Sequence, residues 1–524
     1  MPSYPLHRSA AALVLALGAL ACLPAATAVP AHSKIGWVAA STDAEVDRAF
    51  ALARQSGRPV YLYWGAVWCP PCNQVKATLF NRPDFIERSR AFIPVYVDGD
   101  RPGAQKIAAR FKVSGYPTMV LFRPDGTEIT RLPGEVDPQR YLLTLSAALN
   151  AQASVKDLVS HALSGQKLSD EQWNLLAFYS WDTDEQQVLP AAELAKRLGE
   201  LAGRVPANLP HLRDRLALKA ISARTDVETT PDAATAQADR GTVERILADP
   251  EGVRQQWDQL SGVSDRAVKY LAPEAAARAT LAAAWDKSLA RRMAEGGLSN
   301  SEQIDGLDAR VTLLQLADRT EALPQARVQE VQREVARVVT ATTDRYERQA
   351  VVPSAAHVLS HIGLLDASDA LLKAELPRAV APYYHMLALA DNARKRKDTR
   401  AALSWYEQAW KASEGPATRI QWGANYVRQV IELAPNDVQR VSAAARAVVG
   451  GLAPQGETFF ERNQRSLQRM AKRLSDWQGS DPGRSQVVSQ LRTDLEKVCK
   501  KVPAKETGRA NCEKVFAAGE APKS

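Results

Sequence analysis

The stretch Trp68-Cys69-Pro70-Pro71-Cys72 constrains this chain more than any other. Two cysteines with two residues between them can close a small disulfide ring or open it, and that geometry serves two-electron exchange with the thiols of another protein. The flanks make a chance spacing a poor explanation. Val60 to Tyr63 is a short apolar, aromatic run of strand character, and Val75 to Phe80 continues at helical spacing. The order strand, Cys-X-X-Cys, helix puts Cys69 at a helix N-terminus, where the helix dipole and free backbone N–H groups favour a thiolate. Cys72, one turn in, is shielded by the helix and suits the resolving role. Asn73 follows it, so the Cys-X-X-Cys-His haem-attachment motif is absent.

Further along lies Val113-Ser114-Gly115-Tyr116-Pro117-Thr118, leading into the strand Met119 to Phe122. With this second motif the chain resembles the thioredoxin superfamily, in which a cis-proline loop faces the cysteine pair. Pro117 matches that proline. The nearest likeness is to the C-terminal periplasmic domain of DsbD-type thiol:disulfide interchange proteins and their soluble relatives. It is carried by the cysteine motif, Thr78-Leu79-Phe80-Asn81, Val95-Tyr96-Val97-Asp98, Phe111 to Thr118, Pro124-Asp125-Gly126 and Gly134. It covers roughly residues 35 to 150. The resemblance implies Cys69 and Cys72 as the catalytic pair, with Trp68, Tyr116 and Pro117 positioning the substrate. Two departures matter. Where thioredoxin has a buried Asp six residues before its first cysteine, this chain has Tyr63, and Asn73 stands where many relatives carry Lys. A phenol cannot serve as the usual proton acceptor for Cys72, so that acceptor stays unassigned and no redox potential transfers.

The N-terminus reads as a secretory signal peptide over residues 1–28. His7 and Arg8 precede an apolar run from Ala10 to Leu23, and Ala26-Thr27-Ala28 offers a cleavage site. Ala19-Leu20-Ala21-Cys22 is a poor lipobox, so no lipid anchor is expected on Cys22. No later stretch is long and apolar enough for a membrane span. Four cysteines remain after the leader: Cys69 with Cys72, and Cys499 with Cys512. An even count in two local pairs is what an oxidising compartment allows. The second pair lacks any strand–motif–helix context and is expected to be a structural disulfide, worth roughly 3 kcal/mol in the chain-entropy picture.

At 524 residues the chain is too long for one ordinary core. The expected divisions are the leader, a thioredoxin-like domain over 29–150, a helical region over 151–375, and a tetratricopeptide-like helical region over 376–524. In the first domain, residues 29 to 42 are expected as an extended lead-in. Helices follow at 44–54, 70–80, 84–90, 104–111 and 138–150, with strands at 60–64, 92–97, 120–122 and 128–130. Pro94 should cost its strand one ladder bond. Beyond Asn150, Ala, Leu, Arg, Glu and Gln dominate at helical spacing. Val328, Val331, Val335, Val338 and Val339 share one face, as do Val427, Val430 and Ile431. Thr225–Gly241 and Glu295–Gly306 read as connections, the former as a mobile loop or boundary. Leu389, Ala390, Ala402, Tyr406 and Ala409 fall where a tetratricopeptide hairpin places its knobs, and Trp405, Tyr406 and Trp410 read as its aromatic core. The fold class expected is thus an α/β thioredoxin-like domain followed by a large all-α solenoid or bundle.

Other constellations are set aside. His357 and His361 are four apart on a helix, but Val358 stands where a zincin needs Glu and no third ligand is near in sequence, so no metal site is expected. Arg394 to Lys397 reads as a solvated basic turn, and nucleic acid is not an expected partner. The formal charge of +8 is small for this length and adds no partner. The reading is an exported, periplasmic thiol–disulfide oxidoreductase that needs no cofactor and acts on client proteins with disulfides or thiols. The Pro-Pro dipeptide resembles that of cytochrome c maturation reductases, which implies the reducing direction and an inner-membrane redox partner. The alternative is a helical-repeat adaptor in which the redox domain is secondary or regulatory.

Overall fold

A five-stranded sheet forms where the apolar runs meet. The protein's structure, a computed structural model, describes residues 35–134, 137–226, 232–319 and 322–517. The expected leader, Cys22 and residues 29–34 lie outside the described residues. The elements are β1 (Val38–Ala40), α1 (Asp43–Ser56), β2 (Val60–Gly65), α2 (Pro70–Val75), α3 (Pro83–Arg88), β3 (Ile93–Asp98), α4 (Ala104–Phe111), β4 (Thr118–Phe122), β5 (Glu128–Leu132) and α5 (Pro138–Leu149). The strand order is β1-β3-β2-β4-β5. β1, β3 and β2 run parallel, and β4 and β5 are antiparallel additions.

Two expectations change here. Residues 38–40 of the extended lead-in are an edge strand, pairing Val38 with Val95 and Ala40 with Val97. The helix expected over 70–80 is α for six residues and then widens to a π-helical turn over Lys76–Phe80. Pro94 costs no ladder bond. The Ile93 N–H donates to Pro59 O on the β2 side, so position 94 faces the β1 side, where pairing begins only at Val95.

Each sheet face has its own core. Val46, Ala49, Phe50 and Ala53 of α1 join Leu62, Trp64, Val95 and Ile107 on one face. A capping box between Thr42 and Glu45 starts α1, and Gly57, at φ 68°, ends it. On the other face, Tyr61, Tyr63, Phe80, Phe85, Phe92 and Tyr96 form an aromatic layer. That layer runs on through Leu145 and Leu158 to Trp173, Leu176, Tyr179 and Leu201, beyond the domain end expected at Asn150.

The rest of the described chain is helical. Ala233–Ala248 is a helix capped by Asp232, so residues 233–241 of the expected Thr225–Gly241 connection are helical, while 227–231 lie outside the described residues. Four of residues 233–240 are Ala, a strong helix former, and the Asp232 side chain accepts from the Thr235 N–H to start the helix. Likewise Glu295–Gly306 narrows to a short connection, because Ser299 and Glu302 form a capping box that starts a helix at Asn300. The helices Pro382–Lys395 and Thr399–Ala412 pair as a hairpin with Leu389, Ala390, Ala402, Tyr406 and Ala409 buried. Trp405 and Trp410 are only partly buried, and Trp410 stacks on Tyr426 at 5.7 Å rather than on Tyr406. The basic turn is ion-paired: Arg394 meets Asp391, and Arg396 meets Asp366 and Asp369. Among the described residues no helix is long and apolar enough to cross a membrane.

Candidate functional site

Cys69 is the N-cap of α2, and its Sγ accepts from the Cys72 N–H at 3.1 Å. Pro70 and Pro71 occupy the first helical positions, where a missing N–H costs nothing and a fixed φ suits the helix. The two cysteines are bridged, with Cα atoms 5.2 Å apart. Asn73, fully buried, donates to Val67 O at 2.7 Å and Cys69 O at 2.8 Å, which fixes the loop entering the helix. The Tyr116–Pro117 bond is cis. Tyr116 stacks on Trp64 at 5.3 Å and meets Trp68 edge-on at 5.6 Å, so the proline loop and the cysteine motif share one aromatic seam.

Tyr63 fills the position from which an acid would reach the resolving cysteine. It is buried against Tyr96 at 5.3 Å, its hydroxyl has no partner, and burial holds its pKa well above the ordinary value. Two ionisable groups at this end of the sheet are Lys76, one turn beyond Cys72, and Asp98, opposite Gly65. Burial lowers Lys76 to about 8, against the pull of Asp98, and burial likewise raises Asp98.

The pair is not exposed. Cys69 is 2% exposed, Cys72 0% and Trp68 9%, because the helical region lies directly over them. Ala381, Tyr383, Ala409 and Trp422 complete one apolar cluster with Trp68, Cys69 and Cys72. Trp68 stacks on Tyr384 at 6.0 Å and meets Trp422 edge-on at 6.2 Å, and the Arg462 guanidinium sits 4.6 Å from its ring.

Polar ties fasten this cover. Asp100 accepts from Trp68 Nε1 at 2.8 Å and from the Thr418 hydroxyl. Burial and the neighbouring Asp98 raise Asp100 to about 6. Gln349 donates to Trp68 O at 3.3 Å and accepts from the Ala381 N–H at 3.1 Å. The Arg462 N–H donates to Gln105 Oε1 at 3.1 Å, while Gln105 Nε2 reaches Tyr116 Oη at 3.2 Å. Gly415 approaches Asp100 so closely that a Cβ there would lie 2.5 Å from Asp100 Cβ.

The comparisons with known proteins agree with this geometry. A family model described as a thioredoxin-like domain matches residues 46–149. Thioredoxin of Mycolicibacterium smegmatis is 32% identical over 94 residues, which is 18% of this chain and 81% of that protein. The chain belongs to the thioredoxin superfamily. Its thioredoxin-like domain is also 32% identical over 123 residues to the thiol:disulfide interchange protein DsbD of Pseudomonas fluorescens, 23% of this chain. The chain spans about a fifth of the length of the interchange proteins it matches, 21% and 22% for two of them. A solved DsbH oxidoreductase structure covers 25% of this chain and 95% of its own, at 20% identity and a TM-score of 0.20.

Trp68, Cys69 and Cys72 share one apolar cluster with Tyr116 packed against it, and Pro117 follows Tyr116 across the cis bond. Cys499 and Cys512 lie apart from that cluster, bridged with Cα atoms 5.6 Å apart between the helices Pro482–Lys501 and Thr507–Glu513. Asp100, Gln349, Tyr383, Trp422 and Arg462 escaped the sequence reading. The acid pair Asp98 and Asp100 at a strand end was a usable signal. Gln349, Tyr383, Trp422 and Arg462 had none, since hundreds of residues separate them from the motif they cover.

Proposed function

We propose that the protein is a thiol–disulfide oxidoreductase whose redox pair works beneath its own helical region. The observation that carries this is a Cys-X-X-Cys pair at a helix N-terminus in a thioredoxin-like domain, with Cys69 Sγ accepting the Cys72 N–H. In the reducing direction, the Cys69 thiolate attacks one sulfur of a client disulfide and expels the other as a thiolate. Cys72 then attacks Cys69 Sγ, releases the client's second thiol, and leaves Cys69–Cys72 oxidised. The helix N-terminus favours the Cys69 thiolate, and Trp68, Tyr116 and Pro117 hold the client beside it. Electrons must then be resupplied. An inner-membrane donor fits the likeness to the interchange proteins, as do export, removal of residues 1–28 and a periplasmic location.

Exchange requires sulfur to approach sulfur in line, and the cover leaves Cys69 only 2% exposed. The helical region must therefore swing or loosen before a client enters. The same burial favours a second reading, in which partner binding by the helical region is the main task and the redox pair regulates it. Insulin reduction by the full chain, with dithiothreitol as electron source, separates the two. The oxidoreductase reading expects turnover that Cys69→Ala abolishes. Turnover equal to the Cys69→Ala background would leave the adaptor reading.

A further inference from the structure

Outside the redox centre, one side-chain cluster has the composition and geometry of a ligand set. The helices Asn300–Asp318 and Arg345–His361 pack through Ile304, Leu307 and Val311 against Val351, Ala355 and Val358. That rigid contact brings Asp308 up to His357 and His361, the third ligand absent from the neighbouring sequence. Asp308 Oδ1 lies 3.4 Å from His361 Nδ1 and 3.8 Å from His357 Nε2. One ligand atom from each of the three residues lies within 4.8 Å of the others. Ligands bound at the usual 2.0–2.1 Å to a tetrahedral ion stand about 3.3 Å apart, so small rotations of these exposed or half-buried side chains close the set.

We propose that Asp308, His357 and His361 bind a divalent transition-metal ion of the zinc class. Two imidazoles and one carboxylate suit zinc, copper or nickel and do not suit calcium or magnesium, which favour oxygen alone. Histidines four apart on a helix present both rings to one side. Three protein ligands leave a fourth position open to water or an incoming group. The site opens onto a cavity of about 1150 Å³ whose other wall includes Pro70, Pro71 and Gln74 of the redox helix. Glu302 and Asp305 line the same cavity and add negative charge that favours a cation. The ion would join the Asn300–Asp318 helix to the one whose Gln349 holds the Trp68 carbonyl, and so would stabilise that helix pair against unfolding. The ligand set stands on its own geometry, whatever the redox pair does.

The test uses tag-free, full-length, oxidised protein, so that neither a tag nor free Cys69 and Cys72 thiols bind the metal. Titration with zinc chloride in a calorimeter should give one site per chain. Cobalt(II) should give the visible absorption of a tetrahedral nitrogen–oxygen site. His357→Ala, His361→Ala and Asp308→Asn should each weaken zinc binding at least tenfold and abolish the zinc-dependent rise in Tm. Their Tm in EDTA should match the parent's, because His357 is 62% exposed and Asp308 41%. Absence of a saturable site, or zinc affinity unchanged in all three variants, would overturn the proposal.

Discussion

The two cysteine pairs are nearly equal in burial and unequal in everything that decides chemistry. Cys69 and Cys72 are 2% and 0% exposed, and Cys499 and Cys512 are also 2% and 0% exposed. Burial alone would call both inert. The difference lies in what surrounds them. The first pair spans three positions at a strand-to-helix turn, with Tyr116 of the cis-proline loop packed beside it and a cover made by another region. The second spans thirteen positions between two helices, over Leu491, Leu495 and Phe516 of their shared core. A thiol is poised by its helix terminus and by what can be moved off it, and accessible area in one closed state misses both.

The sharpest way to break that contrast is to remove each pair in turn. Cys69→Ala should reduce insulin-disulfide turnover at least 100-fold, to background. Cys499→Ser/Cys512→Ser should leave it within twofold. Equal loss from both changes would mean that the distal pair relays electrons. Stability should show the reverse order. Opening the thirteen-residue span should cost about 3 kcal/mol in the chain-entropy picture, read by urea unfolding of Cys499→Ser/Cys512→Ser. A change below about 1 kcal/mol would deny the distal bridge its structural role.

The cover offers a smaller, kinetic effect. Gly415 sits at φ 83° with Asp100 pressed against it, so Gly415→Ala strains both the turn and the contact. Weakening closure by about 1.4 kcal/mol should speed reaction of the reduced protein with Ellman's reagent about tenfold. Unchanged reactivity would show that thiol access does not depend on moving the helical region. Last comes pH. Asp100 is raised to about 6, above its unfolded value, so the folded protein binds this proton more tightly. Its contribution is therefore fullest at low pH and is lost as pH rises through about 6. Asp98 shifts in the same direction and stays in the variant. Wild type should gain about 1 kcal/mol over Asp100→Asn between pH 7 and pH 5, measured by urea unfolding at each pH. A difference that does not change with pH would remove Asp100 from the latch.

Local pattern carried most of the thioredoxin-like domain into view. Strand, motif, helix and proline loop are short-range features, and alternation, a capping residue and turn chemistry read directly from neighbours. The misses were local too. The three residues of β1 are too few to show a period, and the π-helical turn at Lys76–Phe80 keeps a helical hydrophobic pattern. Ser299-x-x-Glu302 was a legible capping box inside a segment read as a connection. The cover over the redox pair was illegible for a different reason. Trp422 and Gln349 look like ordinary helix residues, and only long-range packing brings them to Trp68. For the same reason Asp308 could not be matched to His357 and His361 from sequence.

In the proposed cycle Cys69 attacks and Cys72 resolves. Cys72→Ala tests it most directly, because a nucleophile without its resolving partner stays joined to whatever it attacks. Non-reducing gels of cells expressing the full-length Cys72→Ala variant should show adducts that dithiothreitol releases and that Cys69→Ala/Cys72→Ala lacks. Adducts no more abundant than in that double variant would mean that Cys69 is not the attacking thiol.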